Sequence, residues 1–235
     1  MIPKVIHYCW FGGAQYPEVV KKCIESWKKY CPDYELKLWN EENYDVNTND
    51  YCREAFLNRK WAFVSDYARL DILYRYGGFY LDTDVELVRS LDDLRELECF
   101  VASDGDGINT GLGCGADAYN DIIKAMRDLY QNKSFLVNGK YDTTPCTVLN
   151  SKIFLDNGYN PSVTSIEKIC GVSVLPYEYF SPIRGTQSEL QITVNTHGIH
   201  WGSRLWETGW TRIKANIRIK LGIEKVNKIK KMLRR

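Results

Sequence analysis

The sequence predicts an α/β fold in which a largely parallel sheet is covered by helices on both faces. Three observations predict it. A strand, a helix and a strand follow one another within about the first 40 residues, a long helix stops at Gly77-Gly78, and an aromatic strand begins directly after that stop. Sheets of this kind place ligands at the carboxyl ends of their strands.

Val5-Ile6-His7-Tyr8-Cys9-Trp10 is a β-branched and aromatic run halted by Gly12-Gly13, which reads as a buried strand and a loop. From Glu18 to Tyr30 the apolar residues Val19, Val20, Cys23, Ile24 and Trp27 recur at helical spacing behind Pro17. Tyr34 to Trp39 is a second strand. A longer helix spans about Lys60 to Tyr76, with Phe63, Tyr67, Leu70 and Tyr74 on one stripe and Asp66 and Arg69 three apart. Phe79 to Leu87 alternates apolar and polar residues, as a strand does where it meets solvent. Downstream lie a short strand (Phe100 to Ala102), a glycine-rich segment (Asn109 to Gly113), a helix around Ala118 to Tyr130 and another beginning at Thr144-Pro145.

The chain has 235 residues, 44% of them hydrophobic, enough for one sizeable core. Residues 1 to 210 form the expected catalytic domain and 211 to 235 a basic tail. Net charge is +1, but residues 212 to 235 carry +9 and the remainder −8. In the tail Ile213, Ile217, Ile219, Ile223, Val226, Ile229 and Leu233 interleave with Lys and Arg. That pattern predicts basic amphipathic helices, suited to an anionic membrane surface or to docking on the domain. No base-reading module accompanies them, so nucleic acid is not an expected partner. The apolar runs are too short to span a bilayer and the N-terminus has no signal-like pattern, so a cytoplasmic protein, peripheral on the membrane, is expected. Eight cysteines without a C-x-x-C pair read as reduced thiols.

Asp82-Thr83-Asp84 is the most informative motif. On a strand, residues two apart share a face, so both carboxylates would front one site. Two such charges require a cation, a base or open water, and hard oxygen donors suit Mg²⁺ or Mn²⁺. By itself the pair reads equally well as a solvated strand end. A D-x-D phosphatase of the haloacid-dehalogenase kind is another reading, but Glu86 stands where such enzymes carry threonine. A non-catalytic carbohydrate-binding module is a third.

The run from Phe63-Val64-Ser65-Asp66-Tyr67-Ala68-Arg69 through Gly77-Gly78-Phe79-Tyr80-Leu81 to Asp82-Thr83-Asp84 resembles the core of D-x-D sugar transferases. The likeness is to glycosyltransferase family 32, with its Och1-like mannosyltransferases and capsular polysaccharide sugar transferases, and more distantly to the glucosylating clostridial toxins. Ile6 to Gly13, Ile108-Asn109-Thr110-Gly111 and His200-Trp201-Gly202-Ser203-Arg204-Leu205-Trp206 extend it.

The resemblance implies a GT-A fold, a Rossmann-like nucleotide-sugar-binding sheet, with a nucleotide-sugar donor, Mn²⁺ or Mg²⁺, and retention of anomeric configuration. The acceptor it implies is a saccharide or lipid-linked oligosaccharide. Carried over residue by residue, Trp10 stacks on the base with Cys9 beside it, Asp66 and Arg69 hold the sugar and diphosphate side, and Ser65 and Tyr80 make lesser contacts. Asp82, Asp84 and His200 are the implied metal ligands, with His197 a rival. Asn109 and Gly111 approach the sugar, and Trp206 closes over the donor. The family's serine before that tryptophan is Leu205 here, which leaves Ser203 as the nearest substitute.

Overall fold

The computed structural model describes residues 1–162, 164–184 and 189–203. The amphipathic tail and Trp206 lie outside the described residues.

In chain order the elements are β1 (Val5–Cys9), α1 (Glu18–Tyr30), β2 (Glu35–Trp39), α2 (Asp50–Leu57), α3 (Trp61–Tyr76), β3 (Gly78–Tyr80), β4 (Val85–Leu87), β5 (Cys99–Ala102) and β6 (Cys114–Ala116). There follow α4 (Asp121–Asp128), β7 (Leu136–Val137), β8 (Lys140–Tyr141), α5 (Cys146–Leu155), β9 (Glu167–Ile169), β10 (Val172–Leu175), β11 (Ile183–Arg184), β12 (Glu189–Leu190) and β13 (Gly198–His200). The main sheet has the order β2-β1-β3-β6-β5-β10-β9. Its pairings β1 with β2, β1 with β3 and β5 with β10 are parallel, and β6 and β9 run against their neighbours. The sheet is therefore mixed, a departure from a simple parallel crossover.

Alternation along the strands divides the core in two. Cys9, Tyr80, Val101 and Val174 face a cluster shared with α2 to α5, whereas Tyr8, Phe79, Phe100 and Leu175 face the one shared with α1. Helices thus cover both faces. α1 has Pro17 at its N-cap, where a fixed φ and a missing N–H suit a helix start, and has Glu18 in its first turn and Lys28 and Lys29 in its last, where their charges suit the helix dipole. α3 is buried on more than one stripe, because the sheet, α2 and α4 all pack against it, and its buried set includes Asp66, Arg69 and Asp71. Gly77 and Gly78 end it at φ +64° and +94°. A Cβ on Gly78 would stand 2.9 Å from the Val5 oxygen, so the turn into β3 requires glycine.

Two expectations are corrected. The helix read from Ala118 begins at Asp121, where the Asn120 side chain accepts from the amides of Ile122 and Ile123. The single strand expected from Phe79 to Leu87 is two strands joined by a turn at Thr83 and Asp84. The Asp82 amide donates to the Gly111 oxygen at 2.8 Å and the Val85 amide to the Asp82 oxygen at 3.0 Å, which bends the chain out of the main sheet. β4 then pairs with β13. The described cysteines are free, seven buried and Cys170 exposed. No helix of the described residues is long and apolar enough to cross a membrane.

Candidate active site

Parallel pairing of β1 with β3 sets Ile6 opposite Phe79 and His7 opposite Tyr80, so both strands open at one edge. A cavity of about 650 Å³ lies there, lined by Cys9, Trp10, Ser65, Asp66, Arg69, Tyr80, Asp82, Thr83, Asp84, Asn109, His200 and Ser203, among others. Its size suits a small-molecule site. Nearly every residue expected at the donor site therefore meets in one place, although the chain segments that supply them are far apart.

Arg69 is the hub. Its Nη2 stands 2.9 Å from Asp66 Oδ1 and 3.2 Å from Asp82 Oδ1, and its Nε donates to the Ser65 oxygen at 3.1 Å. The guanidinium also lies 5.1 Å from the centre of the Tyr80 ring. Burial pushes the Asp66 carboxyl above its usual range against the pull of Arg69, and Asp82 adds to the rise. Burial opposes the Arg69 charge as well, yet Asp82, Tyr80 and Asp66 hold it firmly protonated. Gly111 sits behind this group: a Cβ there would fall 2.0 Å from Asp82 Oδ2 and 2.9 Å from Arg69 Nη1. Its role is to let the backbone approach Asp82.

Asp84 belongs to a second group. Its Oδ2 accepts from both the amide and the hydroxyl of Ser203 at 2.8 Å, and its Oδ1 faces His200 Nε2 at 3.3 Å. Burial alone would raise the Asp84 carboxyl, but His200 and Ser203 outweigh it and hold it well below the carboxylate range. Burial likewise pulls His200 down, and Asp84 more than offsets this. β13 delivers these partners, since His200 pairs with Val85 and the Trp201 amide donates to the Asp84 oxygen at 3.0 Å.

The turn at Thr83 and Asp84 separates the two carboxylates, so they do not share a strand face as expected. Asp82 goes to Arg69 and Asp84 to His200. Among the described residues no three His, Cys, Asp or Glu side chains already converge at metal-binding spacing. The donor chemistry nevertheless fits a hard or borderline cation, because Asp84 Oδ1 and the His200 imidazole adjoin at the cavity wall. With His200 neutral, as ligation requires, Asp82 and Asp84 alone outnumber Arg69 in charge, so an anionic diphosphate would meet net repulsion without a cation.

At the cavity's other end Trp10 Nε1 donates to the Ala14 oxygen at 2.7 Å, and its ring meets Tyr16 edge-on at 5.1 Å. The indole is fixed by its own loop. Asn109 Oδ1 accepts from the Gly111 amide at 3.0 Å, which closes the loop before β6. The Cys9 thiol is pushed up to about 12 by burial and is not a nucleophile at neutral pH. His197 is not part of the cavity lining. Its ring nitrogens are engaged by the Asn195 oxygen at 2.7 Å and by Asp93 at 2.9 Å, and it stacks on Tyr179.

The sequence reading missed Trp61, Phe63, Thr83 and Cys146 as cavity-lining residues. Phe63 reads by its spacing as part of the apolar stripe of α3, and no local pattern singles out Trp61. Cys146 had the signal of Thr144-Pro145 before it, a helix start, but only tertiary packing brings its Sγ within 3.8 Å of Arg69 Nη1.

Residues 17–101 match the family described as "Glycosyltransferase sugar-binding region containing DXD motif". The chain is 32% identical over 143 residues to inositol phosphoceramide mannosyltransferase 3 of Schizosaccharomyces pombe, covering 54% of this chain and 37% of that protein. It is 28% identical over 134 residues to mannosyl phosphorylinositol ceramide synthase SUR1 of Saccharomyces cerevisiae, covering 55% of this chain and 35% of that protein. The chain thus spans little more than a third of the length of these relatives. Among solved structures, PaToxG glycosyltransferase superposes with a TM-score of 0.50 at 18% identity, over 66% of this chain and 69% of that one. The sheet and its helices are accordingly similar to those of GT-A glycosyltransferases, and residues 17–101 match the sugar-binding region of DXD-containing glycosyltransferases.

Proposed function

We propose that this chain is a metal-dependent, retaining glycosyltransferase. It moves a hexose or N-acetylhexosamine from a UDP- or GDP-sugar to a saccharide or lipid-linked acceptor, in the synthesis of surface polysaccharide. The observation that carries this reading is the meeting of Trp10, Asp66, Arg69, Asp82, Asp84 and His200 on one cavity. The names of the yeast relatives make mannose a sugar to test early.

In this reading Trp10 offers its ring to the base, and Asp66 and Asn109 hold sugar hydroxyls. Asp84 and His200 would hold the cation, with Asp82 approaching it through water or the donor. A bound Mn²⁺ or Mg²⁺ supplies neutralising charge at the diphosphate. Arg69, itself buried, adds a fixed positive charge where the leaving group gains negative charge. Asp66 and Asp82 are both tied to Arg69, which favours orienting roles for them over nucleophilic attack. Retention then follows from acceptor attack on the face that the leaving group vacates, with a phosphate oxygen taking the acceptor's proton. The basic composition of residues 212 to 235 supports attachment at an anionic membrane surface.

Thermal unfolding in the presence of UDP-, GDP- and CDP-sugars, with and without Mn²⁺, tests the donor assignment. A cognate donor at about a hundred times its Kd adds about 2.7 kcal/mol of stability, and this should require the metal. No shift with any sugar nucleotide and Mn²⁺ contradicts the reading.

A further inference from the structure

The three acidic residues at alternate positions from Asp82 onward each have their own partner, and the third has no place in the donor site described above. Glu86 lies at the middle of β4, opposite Ile199 of β13. Its Oε2 accepts from Trp201 Nε1 at 2.9 Å and pairs with Lys22 Nζ at 2.6 Å. Lys22, on α1, also stands 4.9 Å from the centre of the Trp201 ring. The Glu86 side chain is only 17% exposed, so this is a built contact and not a surface encounter.

Its position gives it leverage. The ladder between β4 and β13 ends where His200 meets Val85. Beyond it the chain bends at Gly202, with φ +56°, before Ser203 reaches back to Asp84. Between His200 and Ser203 the large side chain is Trp201, and its indole is anchored by Glu86 against α1. We propose that Glu86 is a positioning residue for the candidate active site. By fixing the Trp201 indole it sets the path from His200 to Ser203, and so the placement of both against Asp84. The inference rests on the donor-site reading above, in which Asp84 and His200 hold the cation.

The roles of Lys22 and Trp201 in this arrangement differ. Lys22 is more than half exposed, so its charge contributes little through solvent. The indole bond, shielded beneath it, carries the effect. Glu86→Ala and Trp201→Phe both delete that bond. Glu86→Gln keeps an acceptor for it, and Lys22→Met leaves it in place.

The test uses the whole chain and measures Mn²⁺ binding directly, from the loss of the free-ion paramagnetic resonance signal, alongside calorimetric binding of UDP and GDP. Glu86→Ala and Trp201→Phe should weaken Mn²⁺ binding by about tenfold, as loss of a residue that orients ligands does. Glu86→Gln and Lys22→Met should stay within about twofold of the parent, on the same reasoning. Unfolding midpoints recorded without ligand separate this from general damage: Glu86→Ala with a lowered midpoint but unchanged Mn²⁺ affinity overturns the proposal. So does Glu86→Gln as impaired as Glu86→Ala, which would make the charge, and not the indole bond, responsible. A parent chain that binds neither Mn²⁺ nor a nucleoside diphosphate overturns the donor-site reading itself, and this inference with it.

Discussion

Arg69 Nη2 stands 3.2 Å from Asp82 Oδ1, so the first carboxylate of the D-x-D motif is already neutralised by a helix residue 13 positions upstream. The same guanidinium holds Asp66. Replacing Arg69 by Met therefore strands a buried carboxylate at Asp66 and a partly exposed one at Asp82. Breaking a buried pair in this way costs about 3–5 kcal/mol. Urea unfolding of Arg69→Met should show that loss, and Arg69→Lys should recover part of it while losing the forked geometry.

Gly111→Ala places a methyl group 2.0 Å from Asp82 Oδ2. Something must move, and both near neighbours belong to the site. Overpacking of this kind costs about 1–3 kcal/mol. A displacement of about 1 Å at an orienting group lowers turnover by about a hundredfold. The variant should thus remain folded by circular dichroism yet lose most of its activity, whereas unchanged kcat would show that Asp82 can shift freely.

Asp84→Ala removes the acceptor of two bonds from Ser203 and the partner of His200. Donor-dependent thermal stabilisation in Mn²⁺ should vanish, while the unliganded chain still unfolds cooperatively. Asp84→Asn should give the same loss of metal dependence with a smaller change in midpoint, because its amide oxygen still accepts from Ser203.

A pH prediction follows from a residue outside the site. His7 is buried, its Nδ1 accepting from Trp39 Nε1 at 3.1 Å, so Nε2 carries the proton and donates to the Gly77 oxygen at 2.9 Å. Burial lowers it from its ordinary 6.5 to about 4. The unfolded chain therefore takes up a proton that the folded chain refuses, and stability falls as pH drops from 6.5 toward 4. His7 contributes up to about 3 kcal/mol of that fall, complete once pH is below the folded value. In His7→Gln the slope of unfolding free energy against pH across this window should lose about one proton.

Much of this architecture was legible in the residues. α1 has the limits its apolar spacing implies, α3 begins within one residue of its expected start, and Asp66 and Arg69 form the pair that their spacing allows. What local pattern could not reveal was the break after Tyr80. No glycine or proline marks it, and the Gly111 oxygen that accepts the Asp82 amide comes from a loop on another strand. Periodicity from Phe79 to Leu87 therefore ran through a turn that tertiary contacts impose. The same holds for Cys146, which reaches Arg69 only when α5 packs beside α3. Ser203 stood in the sequence only as the substitute for an expected serine, and the structure places it on Asp84.

On the proposed function, Asp84 and its neighbours serve sugar transfer from a nucleotide. Release of nucleoside diphosphate from a panel of UDP- and GDP-sugars with Mn²⁺, run beside an aryl phosphate, tests this. At least one sugar nucleotide should be turned over in a reaction stopped by chelation and lowered by about a hundredfold or more in Asp84→Ala, the scale expected for loss of a group that stabilises transition-state charge. Phosphate release from the aryl phosphate, with every sugar nucleotide left intact, would contradict it.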